Sequence, residues 1–473
     1  MAEELRHKLQ PHQQRVVDRI QNPDQPGLVV AHGLGSGKSM TSIAAINQLS
    51  HPAVVVVPSS LRDNYIKEQI KHLGEQPAAV KIESMQTAGR RGYLPAAHTV
   101  VVDEAHRLRN SGAGQYAIRS GMEYAKKRLL LTASPFYNHP SEISPLVNMA
   151  AGYKALPNDA KDFNQRYISE TKVMPGFLQA LRGIRPGVEY DINPGKRKEL
   201  ADILHKWVDY HANSQENFPA VDRETVKVEM TPHQQEVYDT VMGQAPAWVS
   251  SKIKSGMPPS KSENSELNAF LTAARRVSNS TRGYDLSRAP EESKIDTAFA
   301  RLKSRIDADP GHKAVVYSNY IDSGVTPYRE RLQAAGIPYG EYTGDVEKRV
   351  RDQLVRDYNQ GDTKVILMSS AGGEGLDLKE TGSVQILDPH WNTEKLKQVE
   401  GRAIRYKSHE GLSPEKRRVL VENYISTRRP GVLNRIGVLK TPGSSDEYLQ
   451  NMSKKKEDLN QKFIKLLASD RQQ

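Results

Sequence analysis

Residues 27–50 constrain the fold of this chain more than any other stretch, because an apolar run, a glycine turn and a helical pattern follow one another without interruption. Gly27 to Val30 read as a short buried strand, and the residues after Ser39 carry apolar positions at helical spacing. A glycine turn between a strand and a helix directs backbone N–H groups and the positive end of the helix toward one anion. The stretch therefore predicts an α/β fold with a phosphate-binding loop.

The loop itself reads AHGLGSGKS over residues 31–39. Lys38 is predicted to reach the β- and γ-phosphate oxygens of a nucleotide, and the Ser39 hydroxyl is predicted to bind Mg²⁺. The strict spacing GxxxxGK[ST] fails where His32 replaces the first glycine, but AxxGxGK[ST] is matched if one extra residue is allowed. A glycine-rich turn without a ligand is the alternative. The residues predicted to form the nucleotide cradle are Gly33, Gly35, Ser36, Gly37, Lys38 and Ser39.

An acidic pair in HTVVVDEAHRLRN supplies the second half of such a site. Asp103 and Glu104 directly follow an apolar run that ends at Val102, and the carboxyl ends of parallel strands are where ligands bind in open sheets. Asp103 is predicted to hold Mg²⁺ through water, and Glu104 to orient and deprotonate the attacking water. The alternative is an acidic pair that caps a helix.

Composition narrows the function classes. The absence of cysteine among the 473 residues excludes disulfides, thiolate zinc sites and cysteine nucleophiles. Lysine and arginine exceed aspartate and glutamate by 67 − 56 = 11, which favours a polyanionic partner, with ordinary solubility charge as the alternative. The sequence has a polar start and no apolar run of roughly 18 residues, so we expect no membrane span or secretory signal. A cytoplasmic or nucleoid-associated protein is expected.

Further motifs extend along most of the chain. In order they are LQPHQQRVVDRI, AVVVVPSSLRDNYIKE, DEAHRLRN, LLLTASPFYNHP, YTGD, VILMSSAGGEGLDLKE, VQILDPHWN and QVEGRAIRYKSH. This series resembles superfamily 2 helicases, and specifically the Swi/Snf-type translocases, from about Leu9 to Ile425. The segment GRAIRYKSHEGLSPEKRRVLVENYIS and the tail SSDEYLQNMSKKK are more similar to helicases of large DNA viruses and phages; for a viral chain the compartment would be the host cytoplasm.

The resemblance implies roles for residues in both halves of the sequence. Gln13 would recognise the adenine base, and Gly375 and Asp377 would lie at the nucleotide. Arg402 and Arg405, three apart on one expected helix, would be arginine fingers for the γ-phosphate; a solvent-exposed basic helix is the alternative. The residues that would contact nucleic acid are Pro58, Ser59, Ser60, Thr132, Ser369, Ser370 and Gly373.

Apolar runs that alternate with helical patterns predict two tandem α/β lobes, each a parallel sheet with helices on both faces. The family resemblance implies that each lobe is RecA-like. The expected strands lie at 28–30, 54–57, 100–102, 129–131, 314–317, 365–368 and 384–387. Lobe 1 is expected over 1–250, with a helical protrusion over about 151–218 and a closing strand and helix after it. A flexible or helical linker over 251–290, lobe 2 over 291–430 and a basic helical tail over 431–473 are expected to follow.

The resulting hypothesis is an ATP-dependent translocase that uses ATP and Mg²⁺ to move along nucleic acid, with duplex DNA as the expected partner. The first alternative is a strand-separating DNA or RNA helicase, or a nucleic-acid-dependent ATPase of transcription termination. The second is a nucleic-acid clamp that does not hydrolyse ATP, against which the intact Lys38, Glu104 and Arg405 argue. A metabolite kinase is a third alternative, but it would not need a second lobe.

Overall fold

The computed structural model describes residues 5–33, 35–109, 112–136, 139–181, 184–212, 217–260, 263–344, 347–369, 376–390, 393–431, 434 and 441–469. Contacts divide the chain into two compact units. Unit 1 contains Met1–Ser169, Tyr190–Ser214 and Asp458–Gln473, and unit 2 contains Glu170–Glu189 and Gln215–Glu457.

The strands in chain order are β1 (Gly27–His32), β2 (Ala53–Val57), β3 (Val80–Ser84), β4 (Thr99–Val102), β5 (Lys127–Thr132), β6 (Ile168–Val173), β7 (Gly187–Ile192), β8 (Val208–His211), β9 (Ala220–Glu229), β10 (Lys313–Tyr317), β11 (Tyr339–Tyr342), β12 (Val365–Met368), β13 (Thr381–Ile386) and β14 (Arg418–Thr427). The α-helices are α1 (Pro11–Gln21), α2 (Lys38–Leu49), α3 (Arg62–Leu73), α4 (Met85–Arg91), α5 (Ala113–Glu123), α6 (Ile143–Ala151), α7 (Ala160–Tyr167), α8 (Phe177–Leu181), α9 (Arg197–Trp207), α10 (Pro232–Gly243), α11 (Ala247–Ser255), α12 (Asn264–Asn279), α13 (Ser293–Ala308), α14 (Thr326–Ala334), α15 (Lys348–Gln360), α16 (Thr393–Ala403) and α17 (Ser445–Ala468).

Unit 1 is built on a parallel six-stranded sheet in the order β3-β2-β4-β5-β1-β8. The central strands β2 and β4 are buried on both faces, which is why they are runs of valine rather than alternating apolar and polar residues. In β1, Val29 and Ala31 join one core cluster, whereas Leu28 and Val30 join the other. Because side chains alternate along a strand, one apolar run fills two cores.

Unit 2 repeats this architecture with a parallel sheet in the order β11-β12-β10-β13-β14-β9. On one face, helix α13 buries Ile295, Ala298 and Leu302, spaced as a helical stripe. On the other, α15 and α16 bury residues that include Tyr358 and Val399. The predicted α/β fold with two parallel sheets and helices on both faces is confirmed.

Strand β9 corrects the expected boundary of lobe 1. Residues 220–229 were expected to close the first lobe, but they pair with β14 over ten positions, from Arg418↔Ala220 to Thr427↔Glu229. Val226 and Val228 accordingly lie in a core cluster of unit 2. An alternating pattern predicts a strand without selecting the sheet that it joins.

The segment expected as a linker is also packed into unit 2. Helices α10, α11 and α12 share one apolar cluster, which includes Val249, Ile253 and Leu271. The Lys252 side chain is fully buried, and its Nζ lies 2.5 Å from Glu263 Oε2. The segment is therefore helical rather than flexible, because a few apolar residues at helical spacing are enough to dock these helices.

Two further expectations differ from the structure. The protrusion at 151–218 was expected to lack strands, but β6 and β7 form a two-stranded sheet, and β8 adds to the edge of the first sheet. The tail is not a separate part: helix α17 places Tyr448 and Leu449 in a core cluster of unit 2, and Phe463 and Leu466 in a core cluster of unit 1. Its basic residues obscured this apolar stripe.

Candidate functional site

The glycine turn after β1 forms a lysine-centred loop that leads into α2. Lys38 is the first residue of α2, and its Nζ donates to the carbonyl oxygens of His32 and Gly33 at 3.0 Å each. Gly35 and Gly37 have φ values of 74° and 75°, which L side chains rarely adopt. The Ser36 hydroxyl donates to Gly33 O at 2.7 Å. Leu34 lies outside the described residues. The left-handed backbone at Gly35 and Gly37 is compatible with the predicted phosphate cradle, which stays a prediction.

Helix α1 lies against this loop through Gln13. Gln13 Nε2 donates to Ser36 O at 3.1 Å, and Gln13 Oε1 accepts the backbone N–H of Gln10 at 2.9 Å. A Cβ on Gly37 would lie 2.3 Å from Gln13 Nε2. The end of the Gln13 side chain could shift to make room for a Cβ, so the positive φ is the reason why residue 37 is glycine.

The acidic pair lies at the same carboxyl edge of the first sheet, where β4 ends. The backbone N–H of Asp103 donates to Val56 O at 2.8 Å, and Asp103 Oδ1 accepts from the backbone N–H of Glu104 at 2.9 Å. Glu104 has a φ of 50°, which is uncommon for a residue other than glycine and carries a strain cost. This conformation places the Glu104 Oε2 atom 3.2 Å from His106 Nδ1.

The two carboxyl groups differ in electrostatic environment. Burial and the neighbouring charge of Glu104 raise the pKa of Asp103 to about 6, against a partial opposing effect of Lys38. Burial also raises the pKa of Glu104, but its hydrogen bond to His106 and the charges of His106 and Lys38 outweigh burial and lower it. Burial lowers the pKa of Lys38, whereas Glu104 and Asp103 raise it. Lys38 and both carboxylates therefore form one electrostatic group.

Asp103→Asn is expected to stabilise the nucleotide-free protein at high pH. An aspartate has an ordinary pKa of 3.8, so the raised folded-state value means that wild-type stability present below that pH is lost as pH rises through about 6. Asparagine carries no charge and keeps an acceptor for the Glu104 N–H. The gain in melting temperature should be larger at about pH 8 than at about pH 4. Asp18→Asn, at an exposed site on α1, is the control; equal gains at both pH values for Asp103→Asn would contradict the expectation.

Thr132, at the end of β5, contacts the acidic motif. Its hydroxyl lies 3.5 Å from His106 Nδ1 and accepts from the backbone N–H of Ser134 at 3.1 Å. Thr132 is fully buried, and Ser369 at the end of β12 is 3% exposed. The structure therefore does not support the prediction that these two side chains contact nucleic acid, because neither offers a surface to a ligand of that size.

The remaining predicted nucleic-acid contacts follow β2 and β12. Ser59 is exposed just after β2, whereas the preceding Pro58 is buried. The Ser60 side chain lies outside the described residues, and so do Ser370, Gly373 and the predicted nucleotide ligand Gly375. Ser59 is thus the predicted contact whose side chain is both described and accessible.

Unit 2 brings together Arg405 and Asp377. Arg405 Nη1 donates to Leu376 O at 2.9 Å and lies 3.4 Å from Asp377 Oδ1. The expectation that Arg402 and Arg405 share a helix is wrong, because α16 ends at Ala403. The Arg402 carbonyl accepts the Leu378 N–H at 3.2 Å, and the Arg405 N–H donates to the Ser408 hydroxyl at 3.3 Å. These backbone groups therefore bond outside the helix instead of forming a further helical turn.

Known families and proteins similar to this chain were found by comparison of sequence and structure. Family models match the chain for the SNF2-related domain at residues 84–282, the helicase conserved C-terminal domain at 297–407 and the res subunit of type III restriction enzymes at 6–92. The chain thus carries the SNF2-related and helicase C-terminal domains that Swi/Snf-type superfamily 2 helicases combine. A protein of Acanthamoeba polyphaga mimivirus named as an ATP-dependent RNA helicase is 29% identical, over 97% of this chain and 96% of its own length.

Two further matches are more distant in sequence. An African swine fever virus protein named a termination factor NPH-I homolog is 22% identical, over 94% of this chain and 76% of its own length. The solved helicase domain of Pyrococcus furiosus Hef covers 90% of this chain, and 96% of that domain is covered, at 15% identity and a TM-score of 0.49. The chain spans most of the length of each.

With its SNF2-related and helicase C-terminal domains and its helicase-named relative, the chain is a nucleic-acid-dependent ATP hydrolase. None of the helices that the structure describes is long and apolar enough to cross a membrane. Two features of the helicase site were missed from the sequence. His106 lies in the DEAH string, but its contacts with Glu104 and Thr132 needed the fold to be seen. The positive φ of Glu104 has no signal in the sequence, because glutamate does not favour it.

Proposed function

We propose that this chain is a translocase that couples ATP hydrolysis to movement along duplex DNA without separating the strands. The observation that carries the proposal is the convergence of Lys38, Asp103 and Glu104 at one edge of the first sheet. A second parallel sheet with its own arginine site, in unit 2, supports a motor rather than a simple nucleotide-binding protein.

At the ATP site, Lys38 would exchange its two carbonyl partners for the β- and γ-phosphate oxygens. Glu104 is charged at neutral pH and close to His106, so it can orient a water and take its proton as the oxygen attacks the γ-phosphorus and the bond to the β-phosphate breaks. Ser39 and Asp103 offer the hard oxygen ligands that Mg²⁺ prefers, and a buried carboxylate with a raised pKa gains by neutralisation. The metal would supply charge neutralisation of the phosphates.

Residues outside the lysine loop complete the proposed ATP chemistry. Gln13, already bonded to the loop carbonyl of Ser36, would read the adenine base. Arg402 and Arg405 would neutralise charge on the γ-phosphate during its transfer. Asp377 lies 3.4 Å from Arg405 and can orient this guanidinium when nucleotide arrives. Their order in the family motif series, rather than a contact with unit 1, supports these roles.

Nucleic-acid binding is proposed to be directed at the phosphate backbone. The net charge of +11 favours a polyanion, and the exposed Ser59 after β2 offers a hydroxyl and backbone groups at a strand end. Contacts of this kind position a protein without reading base sequence. Nucleotide binding that favours one conformational state, with hydrolysis removing the preference, converts such contacts into stepwise movement.

Displacement of a third strand from a DNA triplex tests movement along duplex DNA. A labelled third strand is bound next to a duplex landing site, and its release is followed with ATP and with a non-hydrolysable analogue. We expect release with ATP alone, while the two strands of the duplex stay paired. Failure to displace the third strand, with ATP hydrolysis intact, would overturn the translocase proposal.

The second candidate is a strand-separating helicase that acts on DNA or RNA, with a role in transcription termination as one form of it. The mimivirus relative is named an RNA helicase and the African swine fever virus relative a termination factor, and both names favour this candidate. The two candidates differ in one product: ATP-dependent release of a labelled strand from an RNA or DNA duplex would support the helicase. Stimulation of hydrolysis by RNA but not by duplex DNA would point the same way.

A further inference from the structure

Helix α1 is tied to the edge of the first sheet by one fully buried carboxylate, Asp209 in β8. Arg15 donates to it through Nε at 3.0 Å and Nη2 at 2.8 Å, and Arg19 donates through Nη1 at 3.1 Å. His32 Nε2 donates to Asp209 Oδ1 at 2.8 Å. The carboxylate therefore joins α1, β1 and β8 at the root of the lysine loop.

The two arginines lie four apart on α1 and so face the same direction. Arg19 also donates to the carbonyl oxygens of His205 at 3.0 Å and Lys206 at 2.9 Å, near the end of α9. Both arginines are partly exposed, 33% for Arg15 and 24% for Arg19. If the carboxylate charge were lost, water could hydrate the two partly exposed guanidinium groups. We therefore expect α1 to shift and unit 1 to stay folded.

The same helix face holds the loop directly. His12 Nε2 donates to Ser36 O at 2.9 Å, and Gln13 Nε2 donates to the same oxygen at 3.1 Å. The His12 ring stacks on His211, with centroids 3.8 Å apart and an interplanar angle of 4°. The backbone carbonyl of His211 accepts the Gly33 N–H at 3.0 Å. A displacement of α1 would therefore move the His12 and Gln13 side chains away from the Ser36 carbonyl of the loop.

The negative charge of Asp209 is compensated by the two arginines rather than by the histidines. Burial lowers the pKa of His32 in spite of its bond to Asp209, and burial together with the charges of His12 and His32 lowers the pKa of His211 to about 4. Both rings are neutral near pH 7, so Arg15 and Arg19 balance the Asp209 charge. Charge-assisted, bidentate bonds of this kind fix direction as well as distance.

We propose that Asp209 is a positioning residue for nucleotide recognition, which holds α1, and with it Gln13, at a fixed distance from the lysine loop. This inference rests on the proposed role of Gln13 in reading adenine. The described side-chain contacts of Asp209 are with Arg15, Arg19 and His32, and not with Lys38 or the acidic pair. Its removal should therefore weaken the discrimination between bases and leave the chemical step unchanged.

The test compares Asp209→Asn with wild type in steady-state hydrolysis of ATP and GTP by the full chain with duplex DNA present. We expect KM for ATP to rise about tenfold, KM for GTP to stay within about twofold, and kcat for ATP to stay within about twofold. Asp18→Asn, at an exposed position on α1, is the matched control and should leave both KM values unchanged.

Equal changes in KM for both nucleotides, no change in either, or a fall in kcat alone would overturn the inference. If Asp209→Asn does not fold, as judged by thermal unfolding, Arg15→Gln takes its place because Arg15 is partly exposed; the same selective rise in KM for ATP is required of it. Absence of ATP hydrolysis in wild type would instead defeat the proposed function, so the two failures are distinct.

Discussion

Glu104→Gln is expected to lower kcat for ATP by about 10²–10⁴-fold while ATP binding remains within a few-fold of wild type. Glutamine keeps the size of the side chain and a group that can face His106 Nδ1, 3.2 Å away in the wild type, but it cannot accept the proton of the attacking water. The contact with His106 and the backbone conformation at this position orient the wild-type carboxylate. Single-turnover hydrolysis and titration with a fluorescent ATP analogue measure the two quantities separately.

Glu75→Gln, at an exposed site outside the helices of unit 1, is the control for this substitution and should leave both quantities unchanged. Turnover of Glu104→Gln within about twofold of wild type would remove the proposed base from the mechanism. A parallel loss of ATP binding would mean that the substitution disturbs the lysine loop instead of the chemical step.

Arg405→Ala is expected to reduce kcat by about 10³–10⁵-fold, the range seen for arginine fingers, with a smaller effect on ATP binding. The Arg405 side chain is 39% exposed and bonds Leu376 O and Asp377, so alanine leaves no buried cavity and unit 2 should stay folded. Arg405→Lys should recover only part of the rate, because lysine keeps the charge but lacks the planar fork.

Arg417→Ala is the matched control for this loss. Arg417 is also exposed, and it likewise donates to backbone carbonyls, those of Leu412 at 2.8 Å and Glu410 at 3.1 Å. Its replacement should leave turnover unchanged. If Arg405→Ala and Arg417→Ala lower the rate equally, Arg405 acts through the stability of unit 2 rather than on the γ-phosphate.

The sequence predicted the parts of the fold that depend on local pattern. Each apolar run assigned to a strand, such as 28–30 and 365–368, lies in a parallel sheet, because buried strands need apolar residues on both faces. The lysine loop and the acidic pair were placed at one sheet edge for the same reason: parallel strands end together.

Features that depend on distant partners escaped prediction. The alternation in β9 was visible, but its pairing with β14 is decided by residues nearly 200 positions away. Helix α17 was read as a basic tail, although Phe463 is fully buried. The Asp209 cluster joins α1, β1 and β8, and a single acid in VDYH carries no recognisable spacing. Long-range packing, rather than local propensity, determines these placements.

ATP hydrolysis by the full chain, measured with and without duplex DNA and in parallel with Glu104→Gln, tests the coupling of this site to nucleic acid most directly. Duplex DNA should raise the turnover of the wild type and leave the Glu104→Gln variant near background. Wild-type turnover that does not respond to duplex DNA, single-stranded DNA or RNA, or a variant that matches the wild type, would contradict a nucleic-acid-driven motor built on Lys38, Asp103 and Glu104.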